Sequence, residues 1–241
     1  MNDGRAFELF WEDTSLNDTT AKPWTQQVAA FTPADDEPRL LTYPSADLRL
    51  ARPRDRLARV TARRHSSRAF GPGRLSARQL GSLLSTFASG PDGNRSFPSA
   101  GALYPLEIMC LATAVDGPDG PLDGMVLCHN PDNHSVNVVG PLAPWNEWCD
   151  SLNFPTSSPP PLVIVFVLLV EQMIAKYGSR GGRFALIEVG HAAQNLALRI
   201  AEEGLAGCEV GGTQDDAVLA LLDLTATDAR VALAYACGLP A

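Results

Sequence analysis

Most of the short signatures that would fix a function at once are missing from this chain. Its 241 residues hold no G-x-x-x-x-G-K-[ST] loop and no G-x-G-x-x-G, which argues against the two commonest nucleotide cradles. G-x-S-x-G is missing too, and with it the commonest serine-hydrolase elbow. No run of eighteen apolar residues resembles a membrane span. The start of the chain shows no charged-then-apolar pattern of a signal peptide, so a cytoplasmic protein is expected. The five cysteines are scattered, odd in number and without a C-x-x-C pair. That excludes a zinc ribbon or a simple disulfide framework, and buried thiols in a reducing compartment are expected. An overall basic excess is also lacking: the net charge is −8 and the pI about 4.9, which argues against a dedicated nucleic-acid binder. No internal repeat is found. What remains is 45% apolar and 19% charged, enough for one domain, or one domain with an arm, whose core needs no metal or disulfide staple.

The charge that is present is unevenly placed. Residues 49–78 hold ten arginines against a single acid, Asp55, for a local charge of +9, while the rest of the chain carries −17. Such a block in an acidic protein asks for an anionic partner. The outer arginines have a plainer reading, as a solvated face paired with acids elsewhere on the surface. The tight run Arg63-Arg64-His65-Ser66-Ser67-Arg68 differs from them. It mixes guanidinium, imidazole and hydroxyl donors within six residues, as the several acceptor oxygens of a phosphate require.

Hydrophobic spacing gives the organisation. Residues 1–48 lack a sustained period and are interrupted by Pro23, Pro33, Pro38 and Pro44, so an extended arm is expected. A short helix is expected over 55–64. A second follows an N-cap at Ser76, with Leu80, Leu83, Leu84 and Phe87 on one face. The turn 98–105, Pro-Ser-Ala-Gly-Ala-Leu-Tyr-Pro, delivers the chain into a strand at 106–112. Two strands near 124–129 and 134–139 form a hairpin. A short helix around Trp145 and Trp148 follows, and Leu162 to Val170 read as a central strand. Residues 184–203 form the clearest helix. Glu188, His191, Asn195, Arg199 and Glu202 recur at spacings of 3, 4, 4 and 3, one polar stripe on a slim body that includes Gly190, Ala193 and Ala197. Such a helix is expected to be buried, and to pack against a symmetry mate in a dimer. Strands near 206–210 and 231–236, with a helix near 214–222 between them, close an α+β fold.

Three clusters could carry chemistry. The first is the basic run. The second is the 98–105 turn, whose small residues let backbone amides approach a flat ligand. The third is Lys176-Tyr177-Gly178-Ser179-Arg180-Gly181-Gly182-Arg183, read as a loop between the central strand and the long helix. A lysine beside a tyrosine offers a proton-transfer pair, because an ammonium favours the phenolate. A surface loop with an aromatic anchor is the alternative, and spacing alone favours it. His129 and His134 read as exposed turn residues without a third ligand, so no metal is expected. His191 reads as a buried, hydrogen-bonded histidine.

At these residues the chain resembles a known family. Arg64-His65-Ser66-Ser67-Arg68-Ala69-Phe70 is similar to the R-[RH]-S-x-[RK]-x-F opening of the nitroreductase superfamily. The turn 98–105 resembles the P-S-A-G-A-L-Y-P turn of its SagB-type branch. Lys176 to Arg183, then Glu188-Val189-Gly190-His191 and Gln194-Asn195-Leu196, resemble K-Y-G-x-R-G-[YF]-R and E-x-G-H-x-x-Q-N-L of that branch. The likeness runs from about residue 40 to the end. It implies a nitroreductase-like fold, a mixed and mainly antiparallel sheet flanked by helices, with 1–48 as an arm and 49–241 as an FMN-binding domain. The implied FMN contacts are Arg64, His65, Ser66 and Arg68, then Pro98, Ser99, Ala100, Gly101 and Tyr104, then Gly211 and Gly212.

The branch implies a homodimer that oxidises thiazoline or oxazoline rings of a peptide or carrier-bound precursor, with a cyclodehydratase or synthetase as a possible partner. Tyr177, assisted by Lys176, would take the Cα proton, a hydride would pass to the flavin, and dioxygen would reoxidise it. An NAD(P)H-dependent nitroreductase or flavin reductase is the alternative, and a non-catalytic partner of a peptide-modifying complex is a third reading. Two departures stand out. Gly182 replaces a usual aromatic, which is expected to enlarge the pocket or alter specificity, and Gly238-Leu239-Pro240-Ala241 lacks the arginine of many relatives.

Overall fold

The computed structural model describes residues 4–31, 50–156 and 158–241. Helices α1 (Arg5–Thr14) and α2 (Ala21–Ala30) come first, where an extended segment was expected. Pro23 is the third residue of α2, in the first turn, where a missing N–H costs no helical bond. Pro33, Pro38, Pro44 and the arm boundary at 48/49 lie outside the described residues. Helix α3 (Arg56–Arg63) starts at Asp55, whose side chain accepts the Ala58 N–H at 2.8 Å. Helix α4 (Ala77–Leu84) starts at Ser76, which forms a capping box with Gln79.

Strand β1 (Leu106–Ala112), the small hairpin β2 (Asp116–Gly117) and β3 (Gly120–Pro121), then β4 (Met125–Asn130) and β5 (Ser135–Pro141) follow. Next come α5 (Trp145–Trp148), β6 (Leu162–Leu169), α6 (Glu171–Tyr177) and α7 (Arg180–Glu202). Strand β7 (Ala206–Val210), α8 (Asp215–Leu221) and β8 (Ala229–Gly238) complete the described elements. The main sheet runs β5-β4-β1-β6-β8-β7, and all five of its pairings are antiparallel rather than mixed.

The apolar run of β6 is explained by burial on both faces. Leu162, Ile164, Phe166 and Leu168 face the layer that contains α4 and α7, while Val163, Val165 and Val167 face the layer with Trp148, Leu152 and α8. Phe166 meets Phe87 edge-on at 5.6 Å between ring centres. Opposite Phe166 and Val167 the register of β8 shifts, skipping Ala232, so Val231 and Ala234 both reach the α8 face despite their odd spacing. Cys110, Cys208 and Cys237 are buried free thiols, and burial pushes Cys237 up to about 12.

Helix α7 starts four residues earlier than its periodicity indicates and packs through Ala185, Ala192, Ala193, Leu196 and Ala197 onto the chain's own core. Ala193 and Ala197 therefore do not offer a surface to a symmetry mate. The open face carries Ile187, Gly190, His191 and Gln194, so His191 is exposed, not buried. His129 reverses in the other sense. It is 2% exposed, its Nε2 lies 3.3 Å from Nδ1 of His134, and burial, with the charges of His134 and Arg95, holds its pKa down near 4.

That depression has a definite pH signature. An unfolded histidine titrates near 6.5, so between about 6.5 and 4 the unfolded chain binds the extra proton, and stability falls as pH falls. Asp215, raised by burial to about 6, acts oppositely: its share of stability falls as pH rises from about 4 to 6. Comparing the wild type with His129→Gln isolates the histidine. The stability difference between them should shrink by up to about 3 kcal/mol as urea unfolding is moved from pH 7 to pH 4. A difference that stays constant with pH would show that His129 is protonated in the fold.

Candidate functional site

Arginines of the basic block divide into two sets. Arg56 pairs with Glu202, Arg74 with Asp116 and Asp123, and Arg78 with Glu203. These outer residues tie α3 and α4 to the end of α7, and tie the β2–β3 hairpin to the chain before α4. In contrast, Arg63, Arg64 and Arg68 have no carboxylate partner among the described residues. The run lies along the sheet edge, with the Ser67 N–H bonded to the Gly207 carbonyl at 2.8 Å. Arg68 and Ser66 bear on the Cys208 thiol and Arg64 on the Tyr235 hydroxyl. His65 Nδ1 lies 2.9 Å from the Arg63 carbonyl, and His65, Ser66 and Arg68 are exposed. The guanidinium groups of Arg63, Arg64 and Arg68, free of carboxylates among the described residues, stand on this edge beside the hydroxyls of Ser66 and Ser67 and the His65 ring, the donor types an anion accepts from.

The 98–105 turn is held in a tense conformation. Gly101, Ala102 and Tyr104 have φ of 64°, 53° and 47°, all left-handed, and the last two lack glycine's tolerance. Its anchors are specific. Ser99 Oγ accepts the Tyr104 N–H at 2.9 Å, and the Arg95 guanidinium lies 4.9 Å from the centre of the Tyr104 ring while donating to the Leu106 carbonyl at 2.8 Å. Asn195 of α7 donates to the Ser96 carbonyl at 3.1 Å. Pro98 and Ala100 carry the backbone through this turn.

Glu188, 1% exposed, stands beside it. Burial raises its pKa, opposed by the neighbouring Ser99 hydroxyl, the Arg95 charge and the Leu106 N–H. Both its carboxyl oxygens sit among these neighbours without a completed hydrogen bond among the described residues.

Lys176 and Tyr177 stand at the last turn of α6 rather than on a loop, and the structure brings them to the 98–105 turn. A Cβ built on Gly101 would fall 2.6 Å from Tyr177 Oη and against Lys176 Nζ. Lys176 Nζ lies 5.3 Å from the Tyr177 ring centre, and that ring meets Phe184 edge-on at 5.2 Å. Two of the three clusters thus converge on one glycine. The basic run stands apart from them. Along α7, Glu188 adjoins Ser99 while Ile200 adjoins Gly207, a separation of twelve residues or roughly 18 Å of helix. Gly211 leaves open space where a Cβ would stand, whereas Gly212 is backed by Trp24 of α2 at 2.7 Å.

The residues fit a phosphate-bearing flat cofactor: unpaired cations along β7, an open backbone at Gly211, and a small-residue turn at Gly101. No three His, Cys, Asp or Glu side chains gather closely enough to hold a metal ion among the described residues. Sequence reasoning missed Arg95, which no spacing marks, and Phe7. The latter fills the space left by Gly182: a Cβ there would fall 2.6 Å from Phe7 Cγ and closer still to the ring edge. The expected enlargement is therefore absent, since α1 supplies an aromatic to the same place.

Residues 61–239 match the Nitroreductase family, and the chain belongs to that family. It is 30% identical over 172 residues to a protein of Methanocaldococcus jannaschii named as a nitroreductase, spanning 70% of this chain and 85% of that protein. It is 29% identical over 157 residues to the microcin B17-processing protein McbC of Escherichia coli, spanning 63% of this chain and 57% of that protein. The solved E. coli microcin synthetase McbBCD complex, with truncated pro-MccB17 bound, matches at a TM-score of 0.66 and 21% identity over 88% of this chain and 85% of that one. A nitroreductase-named structure from Ralstonia eutropha matches at 0.64 and 20% identity, covering 82% and 88%. The chain is thus an oxidoreductase-family protein of nitroreductase fold, similar to the McbC type.

The contact at Gly101 yields a test. In Gly101→Ala the added methyl meets only the mobile ends of Lys176 and Tyr177, so the cost is chiefly the left-handed backbone, about 1–2 kcal/mol. Urea unfolding should show that loss with an unchanged m-value. An unaltered midpoint would mean that Gly101 is not held left-handed.

Proposed function

We propose that this protein is an FMN-dependent dehydrogenase that oxidises a thiazoline or oxazoline ring of a peptide or carrier-bound precursor to the aromatic azole. The observation that carries this reading is the meeting of Lys176, Tyr177 and Gly101. That meeting sets a phenol and an ammonium against the backbone of a turn of small residues, the groups that proton abstraction from a ring carbon needs. FMN, when bound, supplies the two-electron acceptor. Tyr177 Oη, as the phenolate, takes the proton from the ring carbon, and the Lys176 ammonium offsets the negative charge that the phenolate carries before the proton arrives. Arg64, His65, Ser66 and Arg68 hold the phosphate end, with Pro98, Ser99, Ala100, Tyr104, Gly211 and Gly212 as the remaining candidate contacts.

A second reading, an NAD(P)H-dependent nitroreductase, draws support from the M. jannaschii relative, of which this chain spans 85%. In that reading Lys176 and Tyr177 have no task. A scaffold that assembles without catalysis has no use for the unpaired cations of the basic run. The match to a synthetase complex supports a cyclodehydratase or synthetase as partner, in the cytoplasm.

Replacing Lys176 with Ala and Tyr177 with Phe together should leave flavin content unchanged and lower ring oxidation by about 10²–10⁴-fold. Mass spectrometry reads the loss of two hydrogens per ring. Undiminished turnover in the flavin-loaded double variant would return the protein to the reductase class.

The roughly 18 Å between basic run and turn fits a site completed by a second copy, and the homodimer belongs to the same reading. The open face of α7, with Ile187, Gly190, His191 and Gln194, is the contact we assign to it. Gly190, beside which a Cβ would meet nothing within 4 Å in one chain, is its probe. Gly190→Arg should give a monomer by light scattering and release the flavin. A flavin-loaded wild type that is itself a monomer would dispose of the dimer.

A further inference from the structure

Helix α1 is seated by fitted contacts. Gly4, at φ 85°, lies against Ile174 of α6, and Phe7 fills the slot at Gly182 of α7. Phe7 meets Trp11 at a tilt, 5.5 Å between ring centres, and Glu8 pairs with Arg230. Between this helix and the start of α7 lies a cavity of about 480 Å³. Phe7, Phe10 and Leu186 make its walls, Arg180 and Arg183 its rim, and Ser179 contributes a hydroxyl. That hydroxyl oxygen is buried and has no hydrogen-bond partner among the described residues. Neither arginine has a carboxylate partner among them. The cavity adjoins the proposed reaction centre by one ring: the Arg180 guanidinium lies 5.8 Å from the Phe184 ring, which itself meets Tyr177.

We propose that this cavity is a substrate subsite for a carboxylate carried on an apolar body, with the arm helix α1 as one of its walls. The walls take the apolar body, since Phe10 is an aromatic left half exposed beside the docked Phe7. The two guanidinium groups and the Ser179 hydroxyl offer the donors that a carboxylate accepts in pairs. The volume suits one or two side chains with their carboxylate. Assigning this ligand to the oxidised substrate rests on the reading of Tyr177 given above, and the subsite itself does not. The carboxylate can come from the end of a peptide or from an acidic side chain beside an apolar residue.

Calorimetry on the full-length flavin-loaded protein tests the subsite without turnover. Three probes serve: N-octanoylglycine, with a terminal carboxylate; N-octanoylaspartate α-amide, with a side-chain carboxylate; and N-octanoylglycinamide, which is neutral. At least one acid should bind roughly tenfold more tightly than the neutral amide, the gain of one charge-assisted contact, and the tighter acid identifies the source. The exposed pair Arg180→Ala with Arg183→Ala, checked for an unchanged melting temperature, should bring the acids down to the amide. Phe10→Ala should weaken all three. The same values should be found with Tyr177→Phe, so a failed reaction assignment leaves this result standing. Equal binding of acids and amide, no binding at all, or acids that bind the arginine double variant as well as the wild type, would overturn the proposal.

Discussion

Everything near the candidate site is fixed by how closely α7 can approach its neighbours. Ala185, Ala192, Ala193 and Ala197 set the helix directly on the core. Gly181 allows the carbonyl of Met173 to come against the helix backbone, closer than any Cβ would permit, and Gly182 admits the ring of Phe7. Alanine costs nothing in helix propensity, whereas each glycine costs about 1 kcal/mol. Burial and close packing offset that cost, because dispersion contacts accumulate where backbones meet without side chains between them. Once α7 is placed, its polar residues can reach across. Asn195 holds the 95–99 segment, Glu202 holds Arg56 of α3, and Glu203, just past its end, holds Arg78 and Ser82 of α4.

This explains which parts of the fold were legible. The even and odd residues of β6 both read as apolar because both faces of the sheet are covered, and a run of that length has no other soluble solution. Caps at Asp55 and Ser76 were readable because an N-cap is a local bargain between one side chain and the N–H groups two or three residues on. The polar stripe of α7 was counted correctly and assigned wrongly. Periodicity reports which residues share a face, and it cannot report that Glu188 faces a turn ninety residues earlier while His191, less than a turn away, faces outward. His129 was misjudged for the same reason: the turn residues beside it are polar, but α4 and Phe87 cover it from elsewhere in the chain. The arm was misread because its prolines were counted without their positions, and one of them stands where a helix tolerates it.

Strain and anchoring are matched at the 98–105 turn. Two non-glycine residues in the left-handed region cost of order 1–2 kcal/mol each, and persist only where surrounding bonds leave no alternative. Arg95 supplies three such restraints from one residue: its N–H to Tyr104 Oη at 3.3 Å, its side chain to the Leu106 carbonyl, and its charge over the Tyr104 ring. The same guanidinium also lowers the energy of a charged Glu188 against the desolvation that opposes it. The turn, its arginine and the buried acid are therefore one electrostatic unit, and a change in any of them reaches Gly101, and through it Lys176 and Tyr177.

The distribution of charge completes the argument. In an acidic protein an arginine readily finds a partner, since acids are plentiful and the side chain is long enough to reach them. Arg56, Arg74, Arg78, Arg199 and Arg230 have found them. Exposed pairs of this kind add little stability each, so their value is in orientation: they fix α3, α4 and α1 relative to the sheet. Of the cations left without a carboxylate among the described residues, those of the 63–68 run and of the Arg180–Arg183 rim are grouped, and each group stands beside hydroxyl donors. A surface shaped only for solubility would scatter its unpaired cations. Their grouping along β7 in one case, and beside an aromatic-lined cavity in the other, is what both proposed anion sites rest on, at opposite ends of the helix that organises the fold.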